Sequence, residues 1–133
     1  MAEMVITFPG GARVNAQLGP YTVRTDQPPQ GGGEGSAPSP FQLFLASLGT
    51  CAGIYVLGFC RQRGLPTEGI RLVQRTDVDP LTHMVGKVSL DIHVPHDFPE
   101  KYLPALIRLA EQCAVKKHLE KSPTIEVATV VDE

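Results

Sequence analysis

Cysteine is scarce in this 133-residue chain, and its three cysteines, Cys51, Cys60 and Cys113, have no paired spacing. The sequence contains no CxxC motif and no cluster of histidine with cysteine. It therefore predicts neither a disulfide framework nor a zinc site, and no metal or other cofactor is expected. With so few cysteines, the reducing cytoplasm is the expected location.

Several motifs that mark common enzyme classes are also missing. The glycine run 31–33 lacks the lysine of a phosphate-binding loop, and no dinucleotide fingerprint or Ser-His-Asp arrangement occurs. The N-terminus has neither a basic region nor an apolar segment, so no signal peptide is expected. A formal net charge of -2 without long runs of like charge argues against nucleic acid or an anionic membrane as a partner.

What the chain does contain fits one globular domain over residues 1–133. Hydrophobic residues make up 42% and charged residues 20% of the sequence, which is a composition of folded proteins and not of disordered ones. A chain of this length can bury about two thirds of its unfolded surface.

The most distinctive stretch is an uncharged run from Phe41 to Cys60. Ser39 is a good N-cap residue, Pro40 fits the first helical position, and Gln42 completes a capping box. Gly64 is a plausible stop signal. The sequence therefore predicts a central helix about 36 Å long, at 1.5 Å per residue.

Two interpretations of this helix are open, because about 20 apolar residues can span a bilayer. The run includes the polar residues Gln42, Ser47 and Thr50 together with several small ones, and the rest of the chain has the alternating pattern of strands. We expect a buried helix in the core of a soluble protein and no membrane partner.

The faces of this helix can be separated at about 100° per residue. Cys51 lies amid larger side chains, whereas Ala46, Gly49 and Gly53 form a stripe of small residues that would let another backbone approach closely. Cys60 is nine residues beyond Cys51, which is half a turn away, so the two cysteines cannot share one face.

The remaining pattern indicates strands before and after the central helix and a second helix near the C-terminus. The order βββ-α-ββ-α-β, with mostly antiparallel strands, predicts the α+β class. The long loop 26–38 is either a plain connector or a functional lid or interface arm. The expected strands are 4–8, 12–18, 21–25, 70–76, 86–94 and 125–131, and the second helix runs from about 99 or 104 to 121.

Cys113 falls midway along the expected second helix. Lys116 and Lys117 follow at i+3 and i+4, where an ammonium group would favour the thiolate form of the cysteine. Free cysteines, however, are often buried and merely fill space. Spacing alone therefore leaves open whether any of the three is reactive.

The two cysteine segments together resemble the OsmC/Ohr family of thiol-dependent hydroperoxide reductases, particularly its OsmC-like branch. The resemblance covers the chain from about Thr25 to Val130, and Pro40 precedes Cys51 by eleven residues, as in the family. Its specific parts are GGGEGSAPSPFQLFLASLGTC, the turn Arg63-Gly64-Leu65 and AEQCAVKKHLEKSPTIEV.

The resemblance implies an OsmC-like fold around the long central helix and a peroxidase that reduces organic hydroperoxides or hydrogen peroxide. Cys51 would attack the peroxide, Cys113 would resolve the resulting sulfenic acid as a disulfide, and an external dithiol would reduce it. An N-terminal arginine would hold Cys51 as thiolate; Arg13 is favoured over Arg24. The resemblance also implies a homodimer that interlocks through N-terminal strands and central helices.

Two positions depart from the family pattern. Peroxidase members commonly have a glutamate where this chain has Phe41, and a proline often follows the second cysteine where this chain has Ala114. Losing the glutamate removes a hydrogen bond that would orient the arginine. The alternative function is therefore a non-catalytic or small-ligand-binding OsmC-like dimer whose cysteines are vestigial.

Overall fold

A computed structural model describes residues 3–133, and the chain divides into two compact units, Met1–Ser47 and Leu48–Glu133. Its architecture is α+β, with antiparallel strands and three α-helices in the described residues, as expected for an OsmC-like protein. The assignment of residues 1–133 to one domain stays a prediction.

The first unit begins with a three-stranded antiparallel meander. Strands β1 (Val5–Gly10), β2 (Arg13–Leu18) and β3 (Tyr21–Thr25) pair in chain order. The turns between them contain Gly11 with φ +57° and Gly19 with φ +54°, a backbone region that glycine enters without steric cost. All three strands were expected from the sequence, and their bounds differ from the expected ones by two residues at most.

The long loop after β3 is folded around one buried carboxylate. Asp26 is only 1% exposed and accepts hydrogen bonds from the backbone N–H groups of Gln27, Glu34 and Ser36 and from the Ser36 hydroxyl. Gly33 packs so closely against the Gln27 backbone that an added Cβ would clash with the Gln27 carbonyl oxygen. The loop is therefore ordered, and its role as a plain connector or as a lid or interface arm stays a prediction.

Helix α1 (Pro40–Gln62) begins in the first unit and continues in the second. The predicted capping box is confirmed: the Ser39 N–H donates to Gln42 Oε1 at 2.9 Å, and the Gln42 N–H donates to Ser39 Oγ at 3.3 Å. Gly64, with φ +64°, adopts the left-handed conformation that ends many helices.

By length and composition alone, α1 could cross a membrane, but the core helices of soluble proteins can have the same length and composition. Its buried residues lie on one side and are Ala52, Val56, Phe59 and Cys60, whereas Ile54 is 58% exposed. In the single chain, α1 is therefore buried along one side, and the choice between a core helix and a membrane span stays a prediction.

The second unit contains a hairpin of β4 (Arg71–Val78) and β5 (Val85–His93). The two strands pair antiparallel from Arg71 opposite His93 to Asp77 opposite Lys87. Residues Val88, Leu90 and Ile92 alternate along β5 and point to one face, as their spacing predicts.

The expected second helix is divided in two, which corrects the prediction of one helix from 99 or 104 to 121. A 3₁₀ turn at Glu100–Tyr102 leads into α2 (Leu103–Ala110), and α3 (Ala114–Glu120) follows after a break. Cys113 therefore stands at the junction and not mid-helix. Its ψ of 126° is extended, which interrupts the helical hydrogen bonds at that point.

The expected last strand over 125–131 does not form in the described residues. Ile125, Val127 and Val131 are 83%, 92% and 92% exposed. Their β-branched side chains favour an extended backbone, but a strand also needs a neighbouring strand edge to pair with.

The core of the second unit joins α1 to α2. Val56, Phe59 and Cys60 pack with Leu106, and the Phe59 ring meets Tyr102 edge to face at 5.4 Å between centroids. Such aromatic pairs add to the stabilisation from apolar burial.

Candidate thiol site

Cys113 is held against the turn of α1 that carries Cys51. Its side chain is 2% exposed, and its Sγ donates to the backbone carbonyl of Leu48 at 3.9 Å. Leu48 precedes Cys51 by three residues, which places the two on one side of the helix. The break between α2 and α3 lets Cys113 reach into this contact.

The side chains of Cys51 and Cys113 are hydrogen-bonded to each other, and both are free thiols. Cys51 is partly exposed, whereas Cys113 is buried. The structure therefore brings together the two cysteines that the resemblance singled out. Their roles as attacking and resolving residues stay predictions.

The two thiols have pKa values shifted in opposite directions. The pKa of Cys51 is lowered, first by the hydrogen bond from Cys113 and then by the backbone N–H groups of Val115 and Ala114, although burial opposes the shift. The pKa of Cys113 is raised, first by burial and then by its hydrogen bond with Cys51. Cys51 is thus the residue set to ionise, and Cys113 keeps its proton.

The pKa of Cys113 is raised and not lowered, which corrects the expectation that the ammonium groups of Lys116 and Lys117 make it a thiolate. Lys116 Nζ lies 3.9 Å from a carboxylate oxygen of Glu111 and 3.9 Å from one of Glu120. Burial decides the pKa of Cys113 instead. The groups that sequence reasoning missed are the backbone amides of Ala114 and Val115, and a helix start at 114 would have been the signal for them.

Arg13, the residue expected to hold the Cys51 thiolate, belongs to the first unit. Its Nε donates to the carbonyl oxygen of Gly10 at 3.1 Å, and its side chain is exposed. Arg24 is also exposed and lies on β3, opposite Asn15 of β2. A role for either arginine beside Cys51 stays a prediction.

Phe41 occupies the first turn of α1, where the resemblance would place a glutamate. The side chain is 52% exposed, and its ring packs against Phe44 with centroids 5.5 Å apart. An aromatic contact thus stands where a carboxylate would accept a hydrogen bond.

A cleft of about 740 Å³ adjoins the buried thiol of Cys113 within the second unit. Its wall is mainly apolar, with Asp91, Glu111 and Lys116 as charged residues. Arg75 neutralises Asp91 through an ion pair of 2.6 Å. The apolar lining is formed by Leu48, Ala52, Val88, Leu90, Ile92, Leu103, Leu106, Ile107, Ala110 and Leu119.

Comparison with known proteins identifies the family to which the chain is similar. Residues 33–128 match the family model described as OsmC-like protein, and this range includes both cysteines of the pair. No curated protein matches the chain.

Solved structures share the fold over most of their length. A Psychrobacter arcticus 273-4 protein, named for a proposed osmotic-stress and detoxification response, is 22% identical with a TM-score of 0.73, covering 88% of this chain and 87% of that one. An organic hydroperoxide resistance protein OsmC from Legionella pneumophila is 18% identical with a TM-score of 0.56, covering 90% of each chain. The organic hydroperoxide resistance protein OhrB of Bacillus subtilis is 16% identical with a TM-score of 0.52, covering 92% of each. At these identities the likeness shows the fold alone.

Proposed function

Because this chain belongs to the OsmC-like protein family, we propose that it is a thiol-dependent peroxidase that reduces organic hydroperoxides or hydrogen peroxide through Cys51 and Cys113. The observation that carries the proposal is the hydrogen bond between these two thiols, with the pKa of one lowered and that of the other raised. Two structural neighbours are named organic hydroperoxide resistance proteins, which supports a peroxide-related role.

The first step is attack by the Cys51 thiolate on the distal oxygen of the hydroperoxide. The O–O bond breaks, a sulfur–oxygen bond forms, and the leaving alkoxide takes up a proton to become an alcohol, or water when the substrate is hydrogen peroxide. Cys51 is oxidised to a sulfenic acid, and the peroxide is reduced. The lowered pKa of Cys51 supports this step because the thiolate is the nucleophile.

In the second step, the Cys113 sulfur attacks the sulfenic acid of Cys51. A disulfide forms, and the hydroxyl group leaves as water with the proton of Cys113. The placement of Cys113 against the turn of α1 that carries Cys51 supports this step, since a disulfide needs the side chains to be close without a large backbone movement.

In the last step, an external dithiol reduces the disulfide and is itself oxidised. The partly exposed Cys51 sulfur is the half of the bond that a reductant can approach, because Cys113 is buried. We place this chemistry in the cytoplasm, where such dithiols are kept reduced. Arg13 would assist by holding Cys51 as thiolate.

Peroxide treatment followed by mass mapping of the cysteines tests the proposal. With cumene hydroperoxide, the wild type should form a Cys51–Cys113 disulfide, and Cys113→Ser should stop at a Cys51 sulfenic acid that dimedone traps. Cys51→Ser should consume no peroxide, whereas Cys60→Ser should behave as wild type. Oxidation at Cys60 alone, or at no cysteine of a folded protein, would reject the proposal.

The cleft beside Cys113 favours one second candidate, a small-ligand-binding protein whose cysteines are vestigial. Its volume of about 740 Å³ and apolar wall have the size and character of a site for a small apolar molecule. This candidate predicts that a fluorescent apolar probe binds the wild-type protein and does not bind a folded Leu106→Arg variant. It also predicts that peroxide leaves Cys51 unmodified.

A further inference from the structure

We propose that Arg63 is a positioning residue of the thiol site. Its contacts with the rings of Phe59 and Tyr102 fix the register of α2 along α1, and that register keeps Cys113 against the turn of α1 that carries Cys51. The inference rests on the proposed function and deepens it, because it gives a residue at the other end of the helix pair a part in bringing the two thiols together.

Arg63 lies over two aromatic rings that belong to different elements. It follows Phe59 by four residues, which places the two side chains on one face at the end of α1, and its Cζ is 3.8 Å from the centroid of that ring. Its Cζ is also 5.6 Å from the ring centroid of Tyr102, in the 3₁₀ turn that leads into α2. The two rings themselves meet edge to face. These three residues, the aromatic cluster, therefore join the C-terminal end of α1 to the start of α2.

The backbone turn after α1 holds Arg63 in this place. Gly64 has φ +64°, and the Leu65 N–H donates to the Cys60 carbonyl at 2.9 Å, a bond that closes the end of the helix. The turn fixes the point at which Arg63 leaves the helix, and its side chain reaches back over the Phe59 ring. The turn Arg63-Gly64-Leu65 is also the part of the family resemblance to which the thiol chemistry gives no role.

The two helices contact each other in one register along their length. Tyr102 meets Phe59 at one end, and at the other end the Cys113 Sγ donates to the Leu48 carbonyl at 3.9 Å. Eleven residues separate the two contact points on each segment, so α2 runs antiparallel to α1. A slip of one helical turn, about 5.4 Å, would carry Cys113 away from the turn of α1 that it now contacts.

The aromatic cluster is the contact best suited to fix this register. Between the two ends, Leu106 packs with Val56 and Cys60, but apolar burial is non-directional and tolerates other alignments. The thiol of Cys113 is a weak donor, so its bond to Leu48 cannot by itself hold two helices in register. A ring pair and a cation over a ring have preferred geometries. The directional contacts therefore lie at the end of the helix pair away from the thiols.

The experiment measures the equilibrium constant of the Cys51–Cys113 disulfide in glutathione redox buffers, with each cysteine resolved by peptide mass. Arg63→Ala should lower this constant about threefold, the scale of one exposed cation–π contact, because the two thiols are then held together less firmly. Lys101→Ala is the matched control and should equal the wild type. Lys101 Nζ is 5.1 Å from the Tyr102 ring, but the two residues are neighbours in one turn, so this contact joins no second helix.

A second pair of variants tests whether Arg63 acts through the ring of Tyr102. Tyr102→Leu keeps an apolar side chain and should also lower the constant. In the Tyr102→Leu background, Arg63→Ala should lower it no further, because the arginine then has no ring on α2's side to join. Additive effects of the two substitutions would overturn the inference.

Thermal melting checks that each variant is folded. Should Arg63→Ala not fold, Arg63→Gln removes the cation and keeps part of the side-chain stem. Asp26→Asn, in the first unit, removes a buried carboxylate that is not part of the aromatic cluster, so it should lower stability and leave the constant unchanged. An unchanged or increased constant in the folded Arg63 variant overturns the inference, as does an equal fall in Lys101→Ala or Asp26→Asn.

The redox buffers contain no peroxide, which separates this inference from the proposed function. A lowered constant in Arg63→Ala supports the positioning role even where Cys51 consumes no peroxide, a result that rejects only the peroxidase. Peroxide turnover combined with an unchanged constant rejects only the positioning role. A wild type that forms no Cys51–Cys113 disulfide in any buffer rejects both.

Discussion

At the scale of single residues, three cysteines of one chain have three different environments. Cys60 is fully buried in the apolar core, and burial raises its pKa. Cys113 is also buried but is hydrogen-bonded to the sulfur of Cys51. Only Cys51 combines partial exposure with a lowered pKa. The pKa of each thiol thus depends on its burial and on the hydrogen-bond donors around its sulfur, since all three are the same residue type.

Cys60 should be a spectator, as its place opposite Cys51 on the helix predicts. We expect Cys60→Ser to keep the wild-type rate of peroxide reduction, because the core environment protonates the thiol and excludes peroxide from it. A hydroxyl in that core lowers stability, so Cys60→Ala serves as the control that retains an apolar side chain. A loss of more than about tenfold (1.4 kcal/mol) in a variant shown to be folded would contradict this assignment.

Phe41→Glu should increase the rate of Cys51 oxidation. The new carboxylate would orient Arg13 or Arg24 by a charge-assisted hydrogen bond, and the arginine would further lower the pKa of Cys51. The measurement is the second-order rate with an organic hydroperoxide across pH. The rate should rise with pH and level off above the pKa of Cys51, and that plateau should begin at lower pH in the variant.

Phe41→Gln is the matched control, because it removes the aromatic contact with Phe44 without adding charge. Equal rates in the two variants would show that the carboxylate has no effect on Cys51. A slower rate in both would instead indicate that the aromatic pair itself supports the start of α1.

At the scale of elements, the loop after β3 depends on the charge of Asp26. Its pKa is lowered from 3.8 to about 2, first by the Ser36 hydroxyl and then by backbone N–H groups. Because the pKa in the folded state lies below that in the unfolded state, the carboxylate stabilises the fold fully above pH 3.8 and loses this effect as pH falls toward about 2.

Asp26→Asn should therefore lower stability at neutral pH, and its difference from wild type should shrink between pH 3.8 and about 2. An amide nitrogen would face a backbone N–H group whichever way the side chain turns, since both carboxylate oxygens accept such bonds. Urea unfolding midpoints at several pH values measure this. Asp97→Asn, at an exposed position, controls for the loss of one negative charge. A pH-independent difference between Asp26→Asn and wild type would contradict the prediction.

The elements that could be predicted from the sequence are those whose signals are local. The ends of α1 are set by Ser39, Gln42 and Gly64, all within a few residues of the helix itself. The break before α3 has no such signal, because no glycine or proline lies near Cys113 and the packing of this side chain against α1 sets the extended conformation. The strand expected at 125–131 has the local pattern but pairs with no strand in the part of the chain that the structure describes.

The candidate site was predictable only in part, because its residues lie far apart in the sequence. Spacing showed that Cys51 and Cys60 lie on opposite faces, but no local pattern links Cys51 to Cys113, which are 62 residues apart. The resemblance to the family supplied that pair. The effect of the Ala114 and Val115 amides on the pKa of Cys51 could not be foreseen, because it depends on the break in the chain before α3.

At the scale of the whole molecule, the chain exposes apolar side chains in both of its units. In β1, Val5, Ile6 and Phe8 are 55%, 51% and 81% exposed. The C-terminal segment exposes valines and isoleucine along an extended backbone whose strand pattern is unpaired. Exposed apolar surface of this kind marks sites of association in soluble proteins.

We therefore propose a homodimer, and predict a particle of twice the 14.4 kDa chain mass by light scattering at micromolar concentration. Ile6→Glu with Phe8→Glu should convert it to a monomer, because two carboxylates would be buried at an interface formed by β1. Leu81→Glu with Met84→Glu is the control, since these side chains are 89% and 70% exposed in the turn of the other hairpin. A wild type that stays monomeric would reject the dimer. The control substitutions should leave an interface at β1 intact. If both double variants dissociate equally, the interface is not formed by β1.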